Sequence, residues 1–401
     1  MKTIQKIAVR ISNYLLSFVE YFLYWPEPKV ITKYDEIVDI LKKHQVSKVF
    51  LVSDPNISKF GLTKSCKEAL KAAKIDFVEY TNVASNPTFE NVYKGKELYL
   101  NNNCDGLIAI GGGSVMDCCK TIGVLIKNKG NIEKFKGLFK VRHRMPLMIA
   151  SPTTAGTGSE TTIAAVIRNE KTGAKFPIES MKLVPKYAFL DKEMLLNLPP
   201  LIFATTGMDA LTHAIEAYLN IDSTSKTRKY SLEACKLIKD NLVQGFNDKN
   251  DLTAKGEMLK ASFLAGKAFT RSMVGNVHAI AHALGGKYNL PHGYLNAIIL
   301  PRILDIYKNR NKGLKKMSKI AIHIGIGKPS NSVMTNTNLL IKWIDELNAK
   351  FGLPSFIKEI KREDLYNLAH ASYKEAVPLY PCPVLFDEQD FKEIYVSLME
   401  K

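Results

Sequence analysis

The feature that most constrains the fold is a series of short apolar runs that alternate with longer stretches of helical periodicity. The apolar runs cover residues 49–52, 77–80, 107–110 and 146–150. Helical periodicity fills residues 57–74 and 89–101, and it continues from residue 113 toward residue 125. Strands that alternate with helices at this spacing form a parallel, doubly wound sheet. We therefore predict an α/β domain, to which residues 161–168 and 187–190 add further strands.

The alternation stops near residue 191, and the pattern is helical from there to the C-terminus. Amphipathic patterns cover residues 226–242, 252–269, 339–351 and 387–398, and we predict that Pro291, Pro301, Pro329 and Pro354 break helices. A length of 401 residues favours two domains, because domains usually hold about 150 residues. We predict an α/β domain over residues 29–195 and an all-helical domain over residues 196–401.

Residues 1–28 form a separate extension. Apolar side chains recur in it at helical spacing, at Ile4, Ile7, Ile11, Tyr14, Phe18, Phe22 and Trp25. Polar residues interrupt the apolar stretch, which argues against a signal peptide and against a membrane span. We predict an amphipathic helix, ended by Pro26 and Pro28, that packs on the protein or on a partner subunit. Attachment to a membrane surface is the alternative.

The chain is basic, with a formal net charge of +17. Such a charge can favour nucleic acid, an anionic membrane or a phosphorylated ligand. We find no compact basic run with interleaved aromatic residues, and we interpret the charge as spread over a solvated surface, where part of it serves an anionic cofactor. A basic protein that binds nucleic acid or a membrane surface is the alternative from another functional class.

The cysteines indicate a reducing compartment. The chain has 6 cysteines and no CxxC pair. In a chain of this length that pattern is typical of reduced thiols rather than of a disulfide framework. We predict a cytoplasmic protein.

A glycine-rich turn is the first candidate binding element. Gly111, Gly112, Gly113 and Ser114 follow a predicted strand and open a helix. Glycines let the backbone approach a ligand closely, and a helix N-terminus favours an anion such as a pyrophosphate. The turn is not the GxGxxG fingerprint, so a packing turn stays open as an alternative. Small hydroxyl residues at 151–160 follow another strand, and they fit either phosphate binding or a capped turn.

Asp54 is a second candidate for cofactor binding. It follows the strand predicted at residues 49–52. A carboxylate in this position can accept hydrogen bonds from ribose hydroxyls and repel a 2′-phosphate, which favours NAD over NADP. The alternative is that Asp54 caps the next helix.

A carboxylate and several histidines lie at helical spacing in the second half of the chain. Asp209 and His213 are four residues apart, as are His278 and His282, and His292 follows. That spacing puts each pair on one helix face. The neighbouring residues are small and apolar, where an imidazole without partners is costly. We predict a metal site, and nitrogen and oxygen ligands suit ferrous iron or zinc.

The chain resembles the iron-containing (group III) alcohol dehydrogenases. The matching segments are residues 111–117, 152–161, 207–218 and 275–301, in family order, and the resemblance runs from about residue 30 to the C-terminus. It implies a dinucleotide-binding α/β domain followed by an all-helical metal-binding domain, an architecture like that of dehydroquinate synthase. Arg271 departs from the pattern, because the family commonly has a small or amide residue there near the pocket.

The resemblance also implies roles for individual residues. The metal ligands would be Asp209, His213, His278 and His292, while His282 would lie in the active site without binding metal. Phe269 would line the substrate pocket. The cofactor contacts would be Asp54, Asn86, Gly112, Gly113, Ser114, Asp117, Thr153, Thr154 and Lys175.

From these residues and this resemblance we expect a metal-dependent alcohol dehydrogenase or aldehyde reductase. The metal would polarise the oxygen of a primary alcohol or aldehyde, hydride would pass to or from NAD rather than NADP, and His282 would relay the proton. The expected metal is ferrous iron, with zinc as the alternative. A glycerol, polyol or polyol-phosphate dehydrogenase of the same superfamily is the nearest other function. The expected partners are a small alcohol or aldehyde and further copies of the chain.

Overall fold

The computed structural model describes residues 9–12, 23–171 and 173–400. The chain divides into two compact units. The sheet unit consists of Trp25–Leu198 and Lys249–Leu259. The helical unit consists of Pro199–Asp248 and Lys260–Lys401, together with the described residues before Trp25.

A parallel sheet of six strands organises the sheet unit, which confirms the predicted α/β fold. Its order is β1-β9-β6-β4-β2-β3. A smaller sheet of three strands has the order β5-β8-β7, with β7 and β8 antiparallel. The strands are β1 Lys29–Ile31, β2 Lys48–Val52, β3 Asp76–Tyr80, β4 Gly106–Gly111, β5 Gly137–Leu138, β6 Leu147–Pro152, β7 Ala164–Arg168, β8 Lys175–Glu179 and β9 Tyr187–Phe189.

The central strands are apolar throughout because both of their faces are buried. In β2, Phe50 and Val52 belong to one hydrophobic cluster, and Val49 and Leu51 belong to another. Successive strand residues point to opposite faces, so the two clusters lie on the two sides of the sheet. A strand covered on both sides appears in the sequence as a continuous apolar run, which is the pattern seen at residues 49–52.

The strand order creates a switch point between β2 and β4. After β2 the chain moves outward to β3, and it then returns to pair β4 with the other edge of β2. The loops that follow β2 and β4 therefore leave the sheet at its carboxyl edge and run in opposite directions. In open α/β sheets, ligands bind in the crevice outside such a point.

Five helices flank the large sheet, and one prediction for them is wrong. They are α1 Tyr34–Lys43, α2 Pro55–Lys59, α3 Lys64–Ala72, α4 Phe89–Asn101 and α5 Gly113–Lys127. The single helix predicted over residues 57–74 is in fact two helices, α2 and α3. Gly61, between them, has a φ of +69°, and this left-handed conformation ends the first helix.

The second half of the chain is helical, as predicted. Its helices are α6 Pro200–Leu219, α7 Ser225–Asn247, α8 Leu252–Ser272, α9 Asn276–Tyr288, α10 His292–Asn309, α11 Leu314–His323, α12 Val333–Lys350, α13 Leu365–Leu379 and α14 Glu388–Leu398. α6 is buried on nearly every side, which explains why its sequence is apolar all round. No helix in the described ranges is long and apolar enough to cross a membrane.

Pro301 does not break a helix, contrary to the prediction. It lies inside α10. Proline has no N–H to give to the carbonyl of the residue four positions earlier, here Ala297. The side-chain amide of Asn348, on α12, donates to that carbonyl oxygen at 2.6 Å. The lost helical bond is thus replaced from a neighbouring helix, and α10 continues through Pro301.

The helix predicted over residues 1–28 lies mostly outside the described residues. Within that stretch, residues 9–12 are helical. The guanidinium of Arg10 donates to the carbonyl oxygens of Cys382 at 2.6 Å and Pro383 at 3.0 Å. These bonds connect the described part of the extension to the end of the helical unit.

All six cysteines are free and buried. Burial raises the pKa of the Cys66 thiol to about 12 and that of Cys104 to about 11. Burial likewise raises the pKa of Cys235 to about 12. The thiols therefore stay protonated in the folded chain at neutral pH.

Candidate metal centre and dinucleotide site

Four side chains able to bind a metal converge within the helical unit. Asp209 and His213 lie one turn apart on α6, His278 lies in the first turn of α9, and His292 begins α10. One ligand atom from each lies within 4.8 Å of the others. These are the four residues that the sequence analysis proposes as ligands. The sequence spacing places pairs on helix faces, and the packing of three helices brings the pairs together.

The distances around the Asp209 carboxylate suit a cation between the groups. Its Oδ1 lies 3.7 Å from His278 Nε2 and 3.4 Å from His292 Nε2, and its Oδ2 lies 3.9 Å from His213 Nδ1. These separations are long for direct hydrogen bonds. They are typical of ligand atoms that each lie about 2.0–2.2 Å from a shared ion. Burial raises the pKa of Asp209, but the nearby histidines lower it well below its usual range.

An asparagine missed by the sequence analysis lies at the centre of this cluster. The amide Nδ2 of Asn296 is 2.6 Å from Asp209 Oδ1, 3.1 Å from His278 Nε2 and 3.0 Å from His292 Nε2. Asn296 is fully buried, and its Oδ1 has no hydrogen-bond partner among the described residues. It lies one turn after His292 on α10, which is a spacing that could have identified it.

A buried carboxylate orients one of the histidines. Glu216 Oε2 lies 2.6 Å from His278 Nδ1, and the Glu216 carboxylate also accepts the amides of Gly275 and Val277. Burial lowers the pKa of His278, but the negative charges of Glu216 and Asp209 and the hydrogen bond that the ring donates to Glu216 raise it to about 9. With a proton on Nδ1, His278 presents Nε2 to a metal. Glu216 follows Asp209 by two helical turns, and the sequence analysis did not assign it.

His282 forms a hydrogen bond with a different carboxylate, that of Glu375. Its Nδ1 lies 2.6 Å from Glu375 Oε1, which also accepts the hydroxyl of Tyr380 at 2.6 Å. Its ring stacks on that of His292, with centroids 5.1 Å apart. Burial raises the pKa of Glu375, but the His282 charge and hydrogen bond lower it below its ordinary value. His282 thus lies beside the metal cluster without belonging to the group of four.

Phe269 also contacts the cluster. Its ring stacks on that of His213, with centroids 4.2 Å apart and an interplanar angle of 15°. It is half-buried near the end of α8. A ring at this position fits the predicted role as an apolar wall of a substrate pocket.

The candidate dinucleotide residues lie in the sheet unit, and two loops carry most of them. The turn after β4 contains Gly112 and Gly113, and the loop after β6 contains Thr153 and Thr154. A side chain added at Gly112 would lie 3.8 Å from Thr154 Oγ1, and one added at Gly113 would lie 3.2 Å from the side chain of Thr157. The amide of Thr153 donates to Gly111 O at 3.1 Å. The two loops therefore lie against each other at the carboxyl edge of the sheet.

Ser114 joins a third loop to the glycine turn. Its hydroxyl donates to the backbone carbonyl of Ser85 at 2.5 Å. Asn86 is the next residue and is exposed, so it lies beside the glycine turn. This contact brings Asn86 into the candidate cofactor site although 27 residues separate it from Gly113.

Asp54 has the capping role that the sequence left open. Its Oδ1 accepts the amides of Asn56 at 2.8 Å and Ile57 at 3.0 Å, which caps α2. Its Oδ2 accepts no hydrogen bond in the part of the chain that is described, so capping leaves one oxygen for a ribose. Asp54 follows β2, at the switch point of the sheet.

Asp117 and Lys175 lie away from the loop ends. The Asp117 side chain is half-buried, and its carboxylate accepts Ser159 Oγ at 2.9 Å and the Val166 amide at 3.0 Å. Both of its oxygens thus hold the protein together, which suits support of the loop after β6 better than direct cofactor contact. Lys175 is exposed at the start of β8, where it lies opposite Arg168 in the antiparallel register of β7 and β8.

Lys120 is a buried cation that the sequence analysis did not single out. Its ammonium donates to the backbone oxygens of Ser159, Thr162 and Ala164, at 2.6, 3.1 and 3.0 Å. It also donates to the hydroxyls of Ser159 and Thr162. Five oxygen acceptors compensate for the burial of this charge, and they fix the end of the loop after β6. A lone lysine within the apolar pattern of α5 was the available signal.

Comparison with known families covers nearly the whole chain. A family model described as iron-containing alcohol dehydrogenase matches residues 30–192. A second, described as the C-terminal part of the Fe-containing alcohol dehydrogenase family, matches residues 203–399.

Individual relatives agree in length as well as in sequence. The 1,3-propanediol dehydrogenase of Citrobacter freundii is 34% identical over 393 residues, which cover 97% of this chain and 99% of that protein. The NAD-dependent methanol dehydrogenase of Bacillus methanolicus is 32% identical over 342 residues, covering 85% and 89%. The solved alcohol dehydrogenase from Oenococcus oeni superposes with a TM-score of 0.89 at 31% identity, covering 94% of this chain and 99% of that one.

Proposed function

Because the chain belongs to the iron-containing alcohol dehydrogenase family, we propose that it is a metal-dependent enzyme that transfers hydride between a primary alcohol, or its aldehyde, and NAD. The observation that carries the proposal is the convergence of Asp209, His213, His278 and His292 in a buried cluster. Three imidazoles and one carboxylate form a donor set that suits a divalent transition metal. We propose ferrous iron as that metal, with zinc as the alternative.

The bound metal would supply Lewis acidity, which lowers the pKa of an alcohol hydroxyl or polarises an aldehyde carbonyl. The chain's own residues prepare the site for this chemistry. Glu216 holds a proton on His278 Nδ1, so that Nε2 keeps its lone pair. Phe269 covers the ring of His213 and keeps water from that side. Apolar cover of this kind strengthens electrostatic interactions within a site.

His282 is positioned to move a proton. When its Nδ1–H is donated to Glu375, its Nε2 carries the lone pair and can accept a proton. The carboxylate then stabilises the imidazolium that forms, since opposite charges lie 2.6 Å apart. We propose that His282 is the proton relay between substrate and solvent, and that it does not hold the metal.

The proposed hydride carrier is NAD rather than NADP. The glycine turn opens a helix of 15 residues, whose N-terminus favours a pyrophosphate. The free oxygen of Asp54 lies at the switch point, where it would bond ribose hydroxyls and repel a 2′-phosphate. The similarity to the NAD-dependent methanol dehydrogenase of Bacillus methanolicus supports this choice. Asp54→Gly should reduce the preference for NADH over NADPH. Turnover of the wild-type protein with NADPH that equals or exceeds its turnover with NADH would contradict the proposed choice of NAD.

A diol or polyol is the second candidate substrate. The similarity to a 1,3-propanediol dehydrogenase over nearly the full length favours it. Arg271, the departure from the family pattern noted in the sequence, carries a positive charge in the last turn of α8. Relative rates on 1-propanol, 1,3-propanediol and glycerol decide between the two candidates. If Arg271 biases substrate choice toward polar groups, Arg271→Ala should shift these relative rates toward 1-propanol.

The first experiment is NADH-dependent reduction of straight-chain aldehydes by protein loaded with Fe²⁺, beside elemental analysis. We expect turnover that is lost on chelation and restored by metal. His278→Ala should empty the site. His282→Ala should keep metal near the wild-type content and lower turnover or shift its pH profile. A metal-free His282→Ala protein together with a loaded His278→Ala protein would reverse the assignment of the two histidines.

We further propose that the protein works as a cytoplasmic homo-oligomer. The six free cysteines support a reducing compartment. Sedimentation equilibrium on the full chain measures the oligomeric state, and a monomer at micromolar concentration contradicts this part of the proposal.

A further inference from the structure

A cluster of positive charge lies in the sheet unit, in a part of the chain that the proposed reaction does not use. Residues 127–144 contain seven lysines and arginines, one glutamate and two phenylalanines. The interpretation that the charge is spread over a solvated surface, with no compact basic run, therefore does not hold for this segment. It is a compact basic run with interleaved aromatic residues, the pattern whose absence supported that interpretation.

The segment folds around a cavity, which we name the basic pocket. Its volume is about 760 Å³, and its lining includes Lys127, Lys129, Lys134, Lys140, Arg142 and Phe139. The five cations are exposed, and none forms an ion pair with a carboxylate among the described residues. Unpaired like charges around one cavity repel one another, so the pocket favours an anion that bridges them.

A buried asparagine gives the basic pocket a fixed base. Asn128 Oδ1 accepts the amides of Arg142 at 3.0 Å and His143 at 2.8 Å. Asn128 Nδ2 donates to the carbonyl oxygens of Val124 and His143, both at 2.9 Å. These four bonds use the full capacity of the amide group and join the two ends of the segment. The cations are thus carried by a preorganised backbone.

Phe139 presents an aromatic ring at the same cavity in an unusual conformation. Its φ is +59°, and the residue is 46% exposed. A left-handed backbone is a genuine outlier for a bulky residue. The Phe139 amide donates to Glu179 O at 2.7 Å, which holds this conformation. Strain that the surrounding structure enforces, and that exposes an apolar ring, is typical of a binding surface.

The basic pocket is separate from the dinucleotide site. Lys127 is the last residue of α5, and the glycine turn lies at the first residue of that helix. At 1.5 Å per residue, the two ends of α5 are about 20 Å apart. A ligand in the basic pocket therefore does not occupy the place proposed for the pyrophosphate of NAD.

We propose that the basic pocket binds a nucleoside triphosphate, with the lysines and Arg142 around the phosphates and Phe139 against the base. The cavity falls within the size range of small-molecule sites, about 300–1,000 Å³. A single short segment lines it, which fits one nucleotide better than an extended strand of nucleic acid. Several lysines suit a polyphosphate, and an exposed ring suits a base, whose face stacks regardless of its identity.

The test is calorimetric titration of the full chain with ATP and, separately, with inorganic tripolyphosphate, with NAD⁺ present to fill the dinucleotide site. The test variant is Lys129→Glu/Lys140→Glu. Its matched control is Lys319→Glu/Lys358→Glu, which changes the net charge equally at exposed lysines of the helical unit. Phe139→Asn removes the ring while keeping a residue that tolerates a positive φ.

We expect wild type to bind both probes, more weakly as salt rises. The pocket double variant should lose at least about tenfold in affinity for both, because two attractive charges become repulsive. The control should stay within about twofold. Phe139→Asn should lose about tenfold in affinity for ATP and little for tripolyphosphate, because only ATP has a base that can stack on the ring.

Several outcomes overturn the proposal. They are absence of binding to either probe, equal loss in the two double variants, and binding of an oligonucleotide or of phosphatidylserine vesicles without binding of ATP. NADH-dependent aldehyde reduction, measured on the same variants, should be unchanged. A failure of nucleotide binding is thereby distinguished from a failure of the proposed reaction.

Discussion

Asn296 shows how a single residue can organise a metal site without being a ligand. Its amide hydrogens carry partial positive charge, and they lie where a carboxylate oxygen and two imidazole nitrogens converge. Before metal enters, the amide offsets the repulsion among these lone pairs. The amide Nδ2 lies 2.6 Å from Asp209 Oδ1, so it fixes the orientation of a carboxylate that would help to hold a metal. Asn296 is thus a positioning residue for Asp209.

We predict that Asn296→Ala lowers metal affinity by about 10–100-fold, the usual cost of losing a partner of a metal ligand. The measurement is competition between the protein and a chelator for Co²⁺, with the visible spectrum of bound Co²⁺ as a second readout. Asn348→Ala is the control, because it removes another buried amide from the same region. It should lower thermal stability and leave metal affinity unchanged. Equal Co²⁺ affinity and spectra in wild type and Asn296→Ala would show that the amide only fills space.

Among the helices and strands, hydrophobic periodicity and helix-breaking residues predict the limits of those elements that local interactions determine. The helix at 89–101 and the strands at 49–52 and 107–110 lie within one residue of their predicted limits. The sequence does not predict the break at Gly61, because the apolar residues on both sides of it are spaced as in one continuous helix. The prediction for Pro301 is wrong because Asn348, on a helix distant in sequence, donates the hydrogen bond that proline cannot donate to the Ala297 carbonyl. No local sequence pattern reveals such a bond.

The same distinction applies to the candidate site. Asp209, His213, His278 and His292 have helical spacing or a family motif, and the structure brings all four together. Glu375 reaches His282 across 93 residues of chain, so only tertiary packing identifies it. Partners of ligands are chosen by three-dimensional proximity, and they remain beyond a reading of sequence spacing.

The exchange of bonds at Pro301 leads to a prediction about coupling. Asn348→Ala should destabilise the wild-type protein by about 1–3 kcal/mol, because it leaves the Ala297 carbonyl buried without a donor. In a Pro301→Ala background the restored N–H can bond that carbonyl, and the same substitution should cost about 1 kcal/mol less. Urea unfolding of the two single variants and the double variant measures the coupling. Strict additivity would mean that the Asn348 amide does not replace the helical bond.

Glu160, in the loop after β6, gives a prediction about pH. Burial raises its pKa from 4.5 to about 7, although Lys120 is nearby and lowers it in part. Asp117, which Lys120 also faces, is the other carboxyl of this group. The folded chain keeps a proton on Glu160 that the unfolded chain releases between pH 4.5 and about 7. Stability from this residue therefore falls as pH rises through that window.

Glu160→Gln should remove this dependence. At pH 8 the variant should be more stable than wild type by up to about 3 kcal/mol, and near pH 4 the two should be similar. Denaturant unfolding at a series of pH values checks this. Parallel stability profiles for the two proteins would mean that Glu160 is ionised in the fold and has a partner.

At the scale of the whole molecule, each unit carries one part of the proposed chemistry. The candidate ligands all belong to the helical unit, and the candidate cofactor residues all belong to the sheet unit. Neither group includes a residue from the first 28. That division predicts which parts of the chain can be removed without loss of metal.

A chain that begins at Lys29 should bind metal and turn over substrate like the full protein, per folded molecule. It should unfold about 2–4 °C lower, because it loses the bonds from Arg10 to the carbonyls of Cys382 and Pro383. Arg10→Ala in the full chain should reproduce most of that shift. A soluble, folded truncation without metal or activity would show that the extension supports the site itself.

Because all six cysteines are buried, the reactivity of each thiol measures how often the structure around it opens to solvent. A protonated, enclosed thiol does not react with an alkylating reagent, so each label marks a moment when that region was exposed. Cys66, Cys104, Cys118 and Cys119 report on the sheet unit, and Cys235 and Cys382 report on the helical unit. Pulsed alkylation followed by peptide mass analysis would therefore time the opening of each unit separately, with no engineered probe. Identical labelling rates in both units would mean that the chain opens as one cooperative body, and different rates would rank the units by local stability.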